Sequence, residues 1–210
     1  MDISGNALVI GGASGIGKAC ALLLAKEGAS QVLIADISLA GAQDTVAESV
    51  EVAKDQSFRA HALRVDTTSE DSVRSLFKEA ISILGRIDYC VNCAGYSVLV
   101  RKDSPPTLQI GVQEGTDIGS LSLAEFQRFL NVNTTGMFLV TREASIVMRS
   151  QENKPISDSA PGRGSTRGSI VNLGSASSLV ASAGVLPYTA SKHAALGLTK
   201  NSGKFPPIAL

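Results

Sequence analysis

Apolar residues recur along the first half of the chain in two alternating patterns. Short runs come at Ala7 to Ile10, Val32 to Ala35 and Ile87 to Val91, with a more mixed one at His61 to Val65. Runs of four or five bounded by turn formers predict strands buried on both faces of a parallel sheet. Helical spacing fills the intervals. Ile16, Ala19, Cys20, Leu23 and Leu24 predict one inward face, closed by Gly28 as C-cap. Gln43 to Lys54 predicts a second helix with Val46, Ala47, Val50 and Ala53 on one side. Ser69 caps a third, which turns Val73, Leu76, Phe77, Ala80, Ile81 and Leu84 inward and closes at Gly85. Strands alternating with helices imply an α/β fold: a doubly wound parallel sheet joined by right-handed crossovers.

The second half continues the alternation with longer connections. Residues 96–120 form a polar segment containing Pro105 and Pro106, leaving the carboxyl end of a strand, where ligands of parallel sheets bind. That segment is expected to border the substrate. Leu123 to Met148 predicts one long helix carrying Asn131 and Asn133. Residues 151–168, rich in Ser, Gly, Pro and Arg, predict a loop that enters the amino end of a fifth strand, Ser169 to Leu173, far from the chemistry. Gly174, Ser175 and a helix bearing Tyr188 follow. Residues 1–210 read as a single domain.

Composition narrows the function. With 210 residues, 44% hydrophobic and 18% charged, and a formal net charge of +0, the chain suits one continuous core. The neutral balance argues against a nucleic-acid partner, which needs concentrated Lys and Arg. No apolar run is long enough to span a membrane and no signal-peptide pattern opens the chain, so a cytoplasmic location is expected. Cys20, Cys90 and Cys93 make no disulfide framework. Cys90 and Cys93 fall in a predicted strand as buried small residues.

The first strand leads directly into Gly11-Gly12-Ala13-Ser14-Gly15-Ile16-Gly17, and Asp36 ends the second strand, nineteen residues beyond Gly17. Strand, glycine turn, helix, strand and terminal acid make a dinucleotide-binding unit, in which backbone N–H groups meet a pyrophosphate at a helix N-terminus. Gly12 to Lys18 also fits the opening of a P-loop, but Ala19 lacks the hydroxyl that would hold magnesium. An acid at Asp36 accepts hydrogen bonds from a ribose diol and repels a 2′-phosphate, which favours NAD over NADP. At the other end, Tyr188 and Lys192 stand four apart on one helical face. An ammonium beside a phenol favours phenolate and suits it to acid-base work. Ser175 lies thirteen residues upstream of Tyr188.

Taken together, Gly11-x-x-x-Gly15-x-Gly17, Asp66, Asn92-Cys93-Ala94-Gly95, Asn133, Ser175 and Tyr188-x-x-x-Lys192 resemble the short-chain dehydrogenase/reductase family over almost the whole chain. The resemblance implies a Rossmann-like sheet of strand order 3-2-1-4-5 and hydride transfer between a nicotinamide cofactor and a secondary alcohol or ketone. It implies that Tyr188 is the acid-base, that Lys192 supports it and binds the nicotinamide ribose, that Ser175 holds the substrate oxygen, and that Asn133 anchors a water. It places cofactor contacts at Gly11, Ser14, Gly15, Ile16, Gly17, Asp36, Asp66, Thr67, Asn92, Ala94 and Gly95, and again at Tyr188 and Lys192. A homodimer through residues 123–148 and 188–200 is implied as well. Two alternatives stay open: a truncated nucleotide-binding protein without turnover, or a non-redox isomerase or dehydratase in the same pocket. Ile10 and Cys93 depart from the family pattern, where threonine and asparagine are usual. The chain stops soon after Thr199, where the family adds two further strands and a substrate-covering segment, so these are expected to be missing.

Overall fold

The computed structural model describes residues 3–97, 118–157 and 160–203. Within them lie the strands β1 (Asn6–Ile10), β2 (Gln31–Asp36), β3 (Arg59–Arg64), β4 (Tyr89–Asn92), β5 (Lys154–Pro155), β6 (Ser165–Thr166) and β7 (Ser169–Asn172). The helices are α1 (Gly15–Glu27), α2 (Leu39–Val52), α3 (Glu70–Leu84), α4 (Leu123–Leu130), α5 (Met137–Ser150) and α6 (Leu186–Ser202). The chain falls into two compact units, Met1–Ala94 with Leu139–Leu173, and Gly95–Phe138 with Gly174–Leu210.

The first unit is built on a five-stranded parallel sheet in the order β3-β2-β1-β4-β7, a Rossmann-like arrangement in which the fifth strand in the sheet is β7. Register brings Ile10 beside both Ala35 and Asn92, so the ends of β1, β2 and β4 lie level. Alternation along β1 sorts its side chains to two cores. Leu8 and Ile10 join Leu33, Leu76, Phe77 and Val140, while Ala7 and Val9 join Val32, Ile34, Ala21 and Ala42. A fully buried Leu or Ile contributes roughly 1.5–3 kcal/mol, and these strands are buried on both faces.

α3 follows its expected pattern: Val73, Leu76, Phe77, Ala80 and Leu84 are buried, Ser69 Oγ accepts from the Ser72 N–H, and Gly85 caps the end. α1 and α2 do not. α1 buries Gly17, Ala21 and Ala25, whereas Ile16 and Leu23 are 57% and 55% exposed. α2 begins at Leu39 and ends at Val52, so it starts earlier than the expected Gln43, and it buries Ala42, Thr45 and Ser49 rather than Val50. Close packing explains both. Small side chains let α1 and α2 approach the sheet, and the α2 hydroxyls satisfy themselves on helix carbonyls, Thr45 on Gly41 at 3.0 Å and Ser49 on Thr45 at 2.7 Å.

Other corrections are smaller. β4 ends at Asn92, so Cys93 lies past the strand and is partly exposed, while Cys90 is fully buried. Residues 151–168 are not wholly loop: β5 and β6 pair as a short antiparallel ribbon. This ribbon joins the amino end of the sheet through Asp88, which accepts from Arg86 Nε at 2.6 Å, Lys154 Nζ at 2.7 Å and the Asn6 N–H at 2.8 Å.

The single helix expected over residues 123–148 is interrupted. Residues 131–136 form a π-helical turn between α4 and α5. Val132, Thr134, Thr135 and Gly136 are poor helix formers, and the wider turn centres on the fully buried Asn133. Most of the 96–120 connection, residues 98–117, lies outside the described residues.

Candidate active site

The glycine turn of the first unit is set by steric need. Gly11 has φ +78°, and a Cβ there would meet the Ala94 backbone nitrogen at 2.5 Å. A Cβ at Gly17 would run into the Gly11 carbonyl oxygen, so this glycine lets α1 pack against the turn. Ser14 is extended at the N-cap and gives α1 no side-chain cap, and no acid occupies the first turn. The first-turn amides and the positive end of the helix dipole are thereby left for an anion. Ile16, beside them, is exposed.

Asp36 ends β2, where its Oδ2 accepts from the Ala13 N–H at 3.0 Å and its Oδ1 from the Ser38 N–H at 2.9 Å. Each carboxylate oxygen still has accepting capacity for a diol. Asp66 accepts the Thr68 hydroxyl at 2.7 Å and its N–H at 2.9 Å. The Thr68 hydroxyl first, then its N–H, hold the Asp66 carboxyl below the usual carboxylate range. Thr67 beside it is buried. Asn92 pairs with Asn172 across the register, Nδ2 to Oδ1 at 3.3 Å, and its own Oδ1 is buried with no partner. An uncapped helix end, a carboxylate with open lone pairs and a buried acceptor lacking a donor fit a bound dinucleotide. Ala94 is partly buried and follows this strand end.

The second unit brings together Asn133, Tyr188 and Lys192. Lys192 is 4% exposed, and its Nζ lies 5.8 Å from the centroid of the Tyr188 ring. Phe129 meets that ring edge-on at 6.3 Å and stacks at a tilt on Tyr96 at 4.7 Å, fixing the plane of the phenol. Asn133 is a clamp: Oδ1 accepts the Tyr96 N–H at 2.7 Å, and Nδ2 donates to the Tyr96 carbonyl at 2.8 Å and to Ser191 Oγ at 3.0 Å. Both amide hydrogens are therefore used. Asn131, two residues earlier, is exposed. Ser175 Oγ accepts the Ser177 N–H at 3.1 Å, and the short helical turn it starts, Ala176–Ser178, packs against α6. Accepting that bond leaves the Ser175 O–H to donate. Gly95, exposed, precedes Tyr96 in this unit. His193 is exposed on α6, with Nδ1 3.0 Å from the Thr189 carbonyl.

Sequence reasoning passed over Ser191 and Tyr96. Ser191 is fully buried at the centre of the Asn133 network. Its place three residues after Tyr188 was the available signal, since serine back-bonds to a carbonyl one helical turn earlier. Among the described residues no cluster of three His, Cys, Asp or Glu could hold a metal ion, and no helix is long and apolar enough to cross a membrane.

Sheet order, glycine turn and acidic strand end define a dinucleotide-binding α/β protein. A model of the family described as short chain dehydrogenase matches residues 5–204. The chain is 55% identical over 202 residues to the short-chain dehydrogenase fogB of Aspergillus ruber, covering 96% of this chain and 69% of that protein. It is 45% identical over 202 residues to the short-chain dehydrogenase srdC of Neurospora crassa, with the same coverage. Among solved structures, levodione reductase superposes with a TM-score of 0.73 at 27% identity, covering 94% of this chain and 64% of that one. A short chain dehydrogenase from Mycobacterium smegmatis gives 0.76 at 25% identity, covering 96% and 70%. The chain thus spans somewhat under two thirds to about 70% of the length of these proteins. It belongs to the short-chain dehydrogenase family, oxidoreductases that bind a nicotinamide cofactor.

Proposed function

We propose that this chain is a nicotinamide-dependent oxidoreductase acting on a secondary alcohol or the matching ketone, with residues 1–210 serving as one catalytic domain. The observation that carries the reading is the buried Lys192 ammonium held 5.8 Å from the Tyr188 ring centroid on one face of α6. Cofactor contacts are assigned to the glycine turn at Gly11, Ser14, Gly15, Ile16 and Gly17, to Asp36, to Asp66 and Thr67, and to Asn92, Ala94 and Gly95.

The bound nicotinamide would supply or accept the hydride. The remaining work falls to the protein. Tyr188 gives a proton to the substrate oxygen in reduction and takes it in oxidation. Lys192 keeps positive charge beside that phenol, favouring its anionic form when the proton leaves, and donates to the cofactor ribose. Ser175 donates its O–H to the substrate oxygen, orienting the carbon for attack. Asn133 has spent both amide hydrogens on Tyr96 and Ser191, so a relay water at this residue needs an acceptor, either the second Oδ1 lone pair or the backbone carbonyl.

NAD is the proposed cofactor over NADP because of Asp36, and a small carbonyl or alcohol is the proposed substrate. A homodimer through residues 123–148 and 188–200 and a cytoplasmic location complete the proposal. The test is nicotinamide absorbance with a panel of ketones and secondary alcohols, comparing the wild-type chain with Tyr188→Phe. Turnover is expected to fall at least about a hundredfold in the variant, and equal turnover would refute the assignment. Product formation without absorbance change would indicate the non-redox alternative.

A further inference from the structure

Ser191 lies between the two residues of the proposed acid-base pair and is fully buried. Its hydroxyl donates to the Tyr188 carbonyl at 2.7 Å and accepts from Asn133 Nδ2 at 3.0 Å. Its own carbonyl accepts the Thr134 hydroxyl at 3.2 Å. Both polar groups of one residue thus tie α6 to the π-helical turn, and Asn133 carries the connection onward to the backbone of Tyr96. Tyr96 in turn stacks on Phe129, which meets the Tyr188 ring. The contacts form a closed circuit: Tyr188 carbonyl, Ser191, Asn133, Tyr96, Phe129 and back to the Tyr188 ring.

We propose that Ser191 is a positioning residue, which closes this circuit and so fixes the Tyr188–Lys192 turn of α6 relative to Tyr96. The inference deepens the oxidoreductase reading and rests on it for its catalytic consequence, but its structural half stands apart from any activity. Ser191 touches no reacting atom. Its hydroxyl links the helix that carries the acid-base to the amide that holds Tyr96. Without it, one Asn133 N–H is buried with no acceptor, and the pair of bonds from that amide to Tyr96 loses its hydroxyl anchor on α6. The Tyr188 ring then keeps Phe129 as its packing partner, while the hydrogen-bonded arm that runs from Tyr96 through Asn133 back to α6 is open.

Two readouts on the full chain test this. In the unliganded protein, amide hydrogen exchange at Tyr96 is expected to quicken by about tenfold or more in Ser191→Ala, while Val9 and Ile34 in the sheet keep wild-type rates. Ser191→Thr retains a hydroxyl and is expected to restore protection; Ser191→Cys, a near-isosteric weak hydrogen-bonder, substitutes for Ser191→Ala should the alanine variant not fold. In the Asn133→Ala background, Ser191→Ala should add little, because the circuit is already open. In turnover, kcat is expected to fall about tenfold or more with the NADH dissociation constant held within about twofold, since misplacement harms the reacting geometry rather than cofactor binding. Unchanged Tyr96 exchange, or acceleration spread equally through the sheet, would overturn the proposal even where the wild type is active. Wild-type inactivity on every substrate alongside selective Tyr96 loosening would instead refute the oxidoreductase reading and leave the positioning role standing.

Discussion

Replacing Asp88 by asparagine removes one charge at the amino end of the sheet and leaves the shape of the side chain intact. Asp88 is 4% exposed and receives Arg86 Nε at 2.6 Å, Lys154 Nζ at 2.7 Å and the Asn6 N–H at 2.8 Å. It therefore joins the start of β1, the start of β4 and the β5–β6 ribbon. Breaking a fully buried ion pair costs about 3–5 kcal/mol. Arg86 and Lys154 are 24% and 33% exposed, so both regain some hydration when the partner charge goes. Two charge-assisted bonds at about 1.5 kcal/mol each then give a loss of about 3 kcal/mol at neutral pH. Burial alone would raise the Asp88 carboxyl, but the bonds from Lys154, Arg86 and the Asn6 N–H outweigh it and hold the group below the usual carboxylate range. A folded value below the unfolded value of about 3.9 stabilises above that pH, and the contribution fades as pH falls through the folded value. Urea unfolding of wild type and Asp88→Asn should thus differ by about 3 kcal/mol at pH 7 and converge in acid. A gap under about 0.5 kcal/mol at pH 7, or one of equal size at pH 3, would refute the argument.

Two further outcomes follow from single residues. In Asp36→Ala the thermal shift produced by NAD should shrink relative to that produced by NADP, because the diol acceptor and the charge facing a 2′-phosphate are both lost; an unchanged ratio would count against Asp36 as the selector. Burial pushes the Cys90 thiol up to about 12, so a thiol reagent at pH 8 should titrate Cys20 and Cys93 in the native chain and reach Cys90 only after unfolding.

The difference between α3 and its two predecessors shows which physics the sequence displays. α3 meets the sheet through Val73, Leu76, Phe77 and Leu84, and large apolar side chains at helical spacing announce their own face. α1 and α2 pack closely through Gly17, Ala21, Ala25, Ala42, Thr45 and Ser49, so their buried faces are the less hydrophobic ones. Hydrophobic periodicity then points the wrong way, to Ile16, Leu23 and Val50. The glycine turn and Asp36 were legible because a tight turn and a strand-end acid need particular residue types. The π-helical turn was not, because it accompanies a bond between Asn133 and Tyr96, thirty-seven residues apart. Ser191 was hidden for the same reason: its role depends on a partner fifty-eight residues away.

On the proposed roles, binding and turnover are separable residue by residue, with one residue excepted. The glycine turn, Asp36, Asp66 and Asn92 belong to the first unit, and Ser175, Tyr188 and Lys192 to the second. On the proposed roles, Asp36 serves the cofactor alone, and the Tyr188 hydroxyl serves mainly the proton. Lys192 serves both, through its charge beside the phenol and its bond to the ribose. Lys192→Met keeps a long apolar stem in a site only 4% exposed and removes the charge. Its NADH dissociation constant should rise about tenfold for one lost charged hydrogen bond, and its kcat should fall about a hundredfold or more for lost support of the acid-base. Tyr188→Phe should lower kcat alone, and Asp36→Ala should weaken NADH binding with little effect on kcat at saturation. Fluorescence titration and saturating turnover on the three variants resolve the pattern. A Lys192→Met variant that loses only binding, or only turnover, would strip the lysine of one of its two roles.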